Sequence, residues 1–206
     1  MGTVTATTIL TLGTLGFILL TLVSAGNAEI LPQADFNVQG MAGKWYLIGF
    51  ATNAPWFLAR KSIMKMGTVQ MTPTADGGLT IDHSSVNADG SSFKITHNAK
   101  PSALPGRFTF RSDRTEGDND MRVVQVNYGD FALIHTIKTK AGGSTILNKL
   151  YGRTPDLSPD VLQKFRSFSV ECGILPENIA ILPKSGMCVY VCVCVCVCVC
   201  VCVCVC

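Results

Sequence analysis

The chain has 206 residues, with 17 lysines and arginines against 14 aspartates and glutamates, so its formal net charge is only +3. This weak balance, together with the absence of a basic cluster that alternates with aromatic residues, excludes a typical nucleic-acid-binding protein. Residues 29–188 have about the length of one domain, and we predict a single folded unit there.

Residues 1–28 carry no charged side chain and include an apolar run from Ile9 to Val23. Small residues follow that run, so the pattern predicts a signal peptide that is cleaved after Ala25 or after Ala28. A signal anchor is the alternative, because the run is close to the length that spans a bilayer. We favour cleavage, which predicts a secreted, extracellular protein with no stable membrane insertion.

Short segments that alternate apolar and polar residues follow the leader and are separated by turn-forming residues. A period of two is typical of antiparallel strands. We predict an all-β fold, an eight-stranded up-and-down β-barrel, because strands in sequence order need no long crossover. The predicted strands are Trp45–Thr52, Lys65–Thr72, Leu79–Ser85, Ser92–His97, Arg107–Arg111, Met121–Asn127, Phe131–Lys138 and Thr145–Tyr151.

The hydrophobic period changes after the eighth predicted strand. Ser158 is a suitable N-cap, Pro159 suits the first helical turn, and Gly173 is a suitable end. Between them, apolar residues recur at a spacing that forms one helical face. The sequence therefore predicts one C-terminal α-helix that flanks the barrel, followed by a short strand at Asn178–Leu182.

The segment from Val191 to Cys206 is a strict alternation of valine and cysteine that holds eight of the ten cysteines. Three interpretations compete: a thiol-rich metal-binding tail, a β-strand for assembly, and a translated dinucleotide repeat. We favour the repeat, because a TG tract read in frame encodes Cys-Val again and again, whereas metal binding does not demand valine at every second position. Residues 189–206 are therefore interpreted as a low-complexity tail and an artefact of gene prediction.

Three short motifs stand out along the chain by their order and spacing. They are Gly43-Lys44-Trp45-Tyr46, Val126-Asn127-Tyr128-Gly129-Asp130-Phe131 and Leu150-Tyr151-Gly152-Arg153-Thr154. Together they resemble the signature of the lipocalins, eight-stranded cups that hold small apolar molecules. The resemblance implies that Trp45 lies across the closed end of the barrel, that Gly43 allows a tight turn into the first strand, and that Arg153 stacks on the indole.

Within that family, the segments 53–57, 74–78 and 181–183 are similar to the prostaglandin D synthase branch, whose members isomerise prostaglandin H2 with a cysteine on the second strand. The position of that cysteine is held here by Gly67. Because glycine offers no nucleophile, the resemblance implies no catalytic residue. The positions of the polar groups around the thiol correspond to Leu47, Val69 and His83.

The function that we predict is carriage of a small hydrophobic ligand, such as a retinoid or fatty acid, inside a monomeric barrel without cofactor or metal. The alternatives are a prostaglandin-H2 isomerase that acts without the usual cysteine, and a protein-binding module. Met64 and Met71 are candidates for an adaptable lining. The predicted ligand-binding residues are Leu47, Trp56, Phe57, Met66, Gly67, Val69, His83 and Tyr128.

The remaining reactive side chains indicate no second site. His83, His97 and His135 lie on different predicted strands, without a carboxylate or serine at the spacing of a triad. The resemblance implies that Cys188 matches one cysteine of the family's disulfide, whose partner position is Ser91 here. Pairing of Cys188 with Cys172 stays open.

Overall fold

The structure is a computed structural model that describes residues 29–86, 91–112, 117–184, 189–195 and 199–205. Eight antiparallel strands close into a barrel, as the sequence predicted. Each strand pairs with the next, and the first closes the barrel against the second and the eighth. The strands are β1 (Gly43–Thr52), β2 (Thr68–Pro73), β3 (Leu79–Val86), β4 (Ser92–Pro101), β5 (Arg107–Arg111), β6 (Asp118–Asn127), β7 (Phe131–Lys140) and β8 (Gly143–Gly152).

Strand β1 has a different partner along each half of one edge. Residues 43–46 pair with β2, whereas residues 49–51 pair with the short strand β9 (Ile179–Ile181). The amide of Met66, just before β2, donates to the carbonyl of Pro183 at 2.8 Å rather than to β1. Strand β2 therefore begins at Thr68, three residues after the predicted start at Lys65.

Among the residues that the structure describes, two α-helices and three 3-10 turns complete the domain. Helix α1 (Phe57–Arg60) lies between β1 and β2, and α2 (Pro159–Glu171) follows β8. The hydroxyl of Ser158 accepts from the amide of Val161, so the predicted N-cap is present. The 3-10 turns are Val38–Met41, Lys61–Ile63 and Pro176–Asn178. No helix among the described residues has the length and hydropathy needed to cross a bilayer.

The barrel wall is apolar on both faces along β7, β8 and β1. Inside, one buried cluster surrounds Trp45 and includes Val69, Ile134 and Tyr151. Outside, Phe165 of α2 is fully buried in a second cluster that joins the helix to the wall. The helix thus covers the outer face of strands whose inner face lines the barrel, which is why these strands are nearly continuous in apolar residues.

The Val-Cys tail forms a separate hairpin of β10 (Val189–Val195) and β11 (Val199–Val205). Alternating valine has the β-branched chemistry that favours such strands. The predicted leader, residues 1–28, and Cys188 lie outside the described residues, so cleavage and the pairing of Cys188 remain predictions.

Candidate functional site

The closed end of the barrel is built around Trp45, which is fully buried. Its indole nitrogen donates to the carbonyl of Met41 at 2.9 Å. The guanidinium carbon of Arg153 lies 3.7 Å from the centre of the indole ring, within cation–π distance. The same guanidinium donates at 2.8–3.1 Å to the carbonyl oxygens of Gly40, Lys44 and Tyr128.

Gly43 makes this arrangement possible. Its φ of +102° is a conformation that side-chain-bearing residues rarely adopt. A Cβ at this position would also lie 3.2 Å from an Arg153 nitrogen. The glycine therefore both turns the chain into β1 and leaves room for the cation over Trp45.

Tyr128, a predicted ligand contact, lies at the closed end and packs against the interior cluster. Its hydroxyl accepts from the amide of Asn37 at 2.7 Å, and its ring lies directly against Gly40. The corner between β6 and β7 forms although Val126-Asn127 stands in place of Thr-Asp, because the Asn127 side chain accepts from the amide of Gly129. Tyr128 thus joins the N-terminal segment to the floor, and its contact with a ligand stays a prediction.

The interior is open above this floor. Along β4 the inward side chains Phe93, Ile95 and His97 are half-buried and alternate with exposed residues, whereas Ala99, nearer the closed end, is buried. Inward residues keep accessible surface only where nothing fills the space in front of them. The barrel is thus a cup with a packed floor and a hollow upper part.

A lysine lies inside this cup. Asn148 points outward, because its amide nitrogen is 3.3 Å from the hydroxyl of Ser169 on α2. Side chains alternate along a strand, so the next residue of β8, Lys149, points inward. It stands opposite Ile134, which belongs to the interior cluster. Burial and the charge of Lys138 lower the pKa of Lys149 to about 8.

Two histidines share the interior with Lys149. The rings of His83 and His97 are 5.5 Å apart, and His97 lies 4.8 Å from the ring of Phe110. Burial, followed by the charges of Lys149 and His97, lowers the pKa of His83 to about 2. His83, which the sequence predicted as a ligand-binding residue, is therefore a neutral imidazole at physiological pH.

Leu47 and Val69, two further predicted contacts, face the interior cluster. Val69 is buried opposite Trp45, and Leu47 is half-buried. Gly67 is bonded to the same wall, since its carbonyl accepts from the amide of Leu47 at 2.9 Å. A Cβ on Gly67 would lie 2.9 Å from the carbonyl oxygen of Ser84, so the backbone must shift before any side chain fits there.

The predicted residues near the open end differ in accessibility. Phe57 is fully buried, and Met66 is 7% exposed in the same apolar cluster. Trp56 is 47% exposed, with its ring centre 6.1 Å from that of Phe50. Phe57 and Met66 thus support the rim by packing, while Trp56 is half-exposed, and contact of these three residues with a ligand stays a prediction.

His135 lies on the other face of the wall, so the three histidines do not converge. Its Nδ1 is 2.7 Å from the side-chain oxygen of Asn148 and 3.9 Å from the sulfur of Cys172, at the end of α2. Burial raises the pKa of the Cys172 thiol, which disfavours the thiolate. Within the described ranges, no three histidine, cysteine or acidic side chains are arranged to hold a metal ion.

Lys149 and Tyr151 line the inner wall of the barrel, although the sequence did not predict them as site residues. Tyr151 is 2% exposed in the interior cluster, and burial raises its pKa above the ordinary value. The alternation of β8 places both on the face of Leu147. The opposite face carries Asn148 between Ile146 and Leu150, so both faces mix polar and apolar residues and the pattern alone does not say which is inside.

A groove of about 550 Å³ lies outside the barrel, along α2. It is widely open to solvent, whereas sites for small apolar molecules are concave and enclose most of the ligand surface. Its position on the far side of the wall from Lys149 separates it from the cup. Its lining residues are Gln33, Val124, Gln125, Leu133, Lys164, Ser167, Phe168 and Glu171.

Comparison with known proteins agrees with this geometry. The chain is 40% identical to a protein named Lipocalin from Rhinella marina over 161 residues, which are 78% of this chain and 87% of that protein. It is 30% identical to prostaglandin-H2 D-isomerase from Mus musculus over 158 residues, 76% of this chain and 83% of the isomerase.

The fold is also similar to that of the siderocalin Ex-FABP, which functions through dual ligand specificities. The TM-score is 0.63 and the identity 26%, and the similarity covers 72% of this chain and 97% of the siderocalin. Residues 42–186, which span the whole barrel and α2, match the lipocalin / cytosolic fatty-acid binding protein family. The chain therefore belongs to the lipocalin family.

Proposed function

We propose that this protein is a secreted, monomeric carrier that holds a small hydrophobic ligand inside its barrel. The observation that carries the proposal is the contrast along the barrel axis: Trp45 and Arg153 seal one end, while inward side chains towards the other end stay half-buried. A concave, mainly apolar cup with one closed end suits the binding of a small hydrophobic ligand.

The proposed contacts are Leu47, Val69 and His83 on the inner wall and Trp56 at the entrance. Burying about 300–400 Å² of apolar ligand surface at ~25 cal/mol/Å² contributes on the order of 8–10 kcal/mol before ordering costs, enough for micromolar binding. Met66 and Phe57 keep the entrance in shape by packing.

Titration of the purified protein with retinol, followed by tryptophan fluorescence, tests the proposal. We expect saturable quenching with about one ligand per chain. Leu47→Phe, which fills part of the cup, should weaken binding, whereas the matched change Leu104→Phe, at a position 42% exposed outside it, should not. Binding that is equally weakened by both variants, or by neither, contradicts a site inside the barrel.

A second candidate is prostaglandin-H2 isomerase activity, favoured by the 30% identity to the mouse enzyme. Gly67 supplies no thiol, and Cys172 lies outside the barrel with a raised pKa. We therefore expect no turnover of prostaglandin H2 by the purified protein. Turnover that survives Cys172→Ser together with alkylation of the remaining cysteines would establish an isomerase that needs no thiol and would replace the carrier proposal.

Secretion is proposed from residues 1–28, whose uncharged apolar run is typical of a cleaved leader. Expression in cultured animal cells followed by N-terminal sequencing of the medium is the direct test. The secreted product should begin at Gly26 or at Glu29. Retention of the whole chain in the membrane fraction would favour the signal anchor instead.

A further inference from the structure

The ammonium group of Lys149 occupies an unusual position for a cation. It projects from β8 into an interior whose walls are mainly apolar, at the level of Ile134 and Phe50 on the two neighbouring strands. No hydrogen bond or ion pair joins it to another residue that the structure describes, and no described carboxylate influences its protonation. A half-buried cation that lies among mainly apolar walls without a partner is unfavourable, and the anionic group of a ligand would offset that cost.

The groups that face Lys149 strengthen this requirement. Lys138 on β7 adds positive charge, His83 on β3 feels the charge of Lys149, and His97 on β4 lies against His83. The phenol of Tyr151, two residues along β8, is buried, which favours its neutral form. The described interior therefore offers cations and neutral donors but no anion.

We propose that the carried molecule ends in a carboxylate, and that Lys149 is the residue that selects it. This inference rests on the carrier function proposed above and names the chemical class of its ligand. The carboxylate would meet the ammonium group at mid-depth in the cup, while the apolar part of the ligand lies against the inner wall. A charge-assisted hydrogen bond in such surroundings is about twice as strong as a neutral one.

Two ligand shapes share this chemistry, a rigid polyene acid and a flexible fatty acid, and each has an alcohol of nearly the same shape. The experiment compares retinoic acid with retinol by tryptophan quenching of the full-length protein. It also compares palmitic acid with hexadecanol by displacement of bound retinol. In at least one pair we expect the acid to bind about tenfold more tightly at pH 7.

Lys149→Met removes the charge and keeps the length of the side chain. It should abolish the preference for the acid and leave binding of the alcohol unchanged or improved. Lys100→Met is the matched control, because Lys100 is an exposed residue of β4 outside the cup. The preference should also decline above about pH 8, where Lys149 of the empty barrel loses its proton.

Each outcome decides between the two proposals. Equal binding of acid and alcohol in both pairs, or a preference that Lys149→Met leaves intact, overturns the role of Lys149 while the carrier function stands. Failure of all four compounds to bind overturns both. The pair that shows the preference tells whether the cup suits a rigid or a flexible acid.

Discussion

The closed end and the middle of the barrel each contain a positively charged side chain, but the surroundings of the two charges differ. Arg153 lies against the face of Trp45 and donates from all its nitrogens to carbonyl oxygens, so its charge is held by the fold itself. Lys149 is half-buried like Arg153, but it lies among apolar side chains and has no such bonds to described residues. A cation surrounded by acceptors can stabilise a fold, whereas a cation without acceptors in apolar surroundings costs free energy.

The largest expected effect on stability comes from a substitution that removes the centre of the closed end. Trp45→Ala should lower the free energy of unfolding by about 3–5 kcal/mol, because a fully buried indole leaves a cavity. Urea denaturation followed by circular dichroism measures the loss. Trp56→Ala, at a half-exposed position, is the control and should cost about 1 kcal/mol. Similar losses at both positions would show that the floor is not a special structural element.

Gly43→Ala tests whether the turn into β1 supports the same end. We expect a loss of about 1–3 kcal/mol, because alanine is strained at a φ of +102° and its Cβ would crowd Arg153. Gly142→Ala is the control, since nothing lies within 4 Å of a Cβ there. The midpoint of thermal unfolding, measured for both variants and the wild type, tests this expectation. An unchanged midpoint in Gly43→Ala would mean that the turn adapts without strain.

Lys149→Met should have an effect of the opposite sign. We expect it to stabilise the protein by about 1–2 kcal/mol at pH 7, because it removes a half-buried charge from mainly apolar surroundings. The folded-state pKa is about 8 and the ordinary value 10.5, so the unfolded chain binds the proton more tightly. Stability of the wild type should therefore rise between pH 8 and 10.5, and the advantage of the variant should shrink. An advantage that stays constant with pH would point to packing rather than charge.

The smallest effect concerns His83, whose pKa is lowered from 6.5 to about 2. Below pH 6.5 the unfolded chain binds a proton that the folded barrel excludes, so stability falls as the pH falls. From pH 6.5 to 5 we expect this histidine to contribute about 1 kcal/mol of that loss. Chemical denaturation of His83→Leu at several pH values should show a shallower decline. Parallel curves for variant and wild type would show that His83 is hydrated.

The parts of the fold that the sequence could predict are those that a local pattern dictates. Eight alternating segments separated by turn formers led to eight strands, and Ser158 with Pro159 located the start of α2 within a residue. The stacking of Arg153 on Trp45 was expected from motif resemblance, and the structure places the two groups in contact. Few side chains other than tryptophan and arginine combine in this way, so the pattern is specific.

The parts that could not be predicted depend on contacts between distant segments. The late start of β2 follows from the bond between Met66 and Pro183, which no local pattern reveals. The inward direction of Lys149 depends on which face α2 covers. Tyr128 stands in a strand-like stretch, yet its hydroxyl bonds to Asn37, 91 residues earlier in the chain.

The bonds of Arg153 also determine when the barrel can be completed. Two of the carbonyls that it binds belong to Gly40 and Lys44, which precede it by 113 and 109 residues. These bonds cannot form until nearly the whole domain has left the ribosome. Because contacts at such sequence separation form slowly, on the order of milliseconds to seconds in β-rich domains, the floor of the cup should be among the last parts to fold.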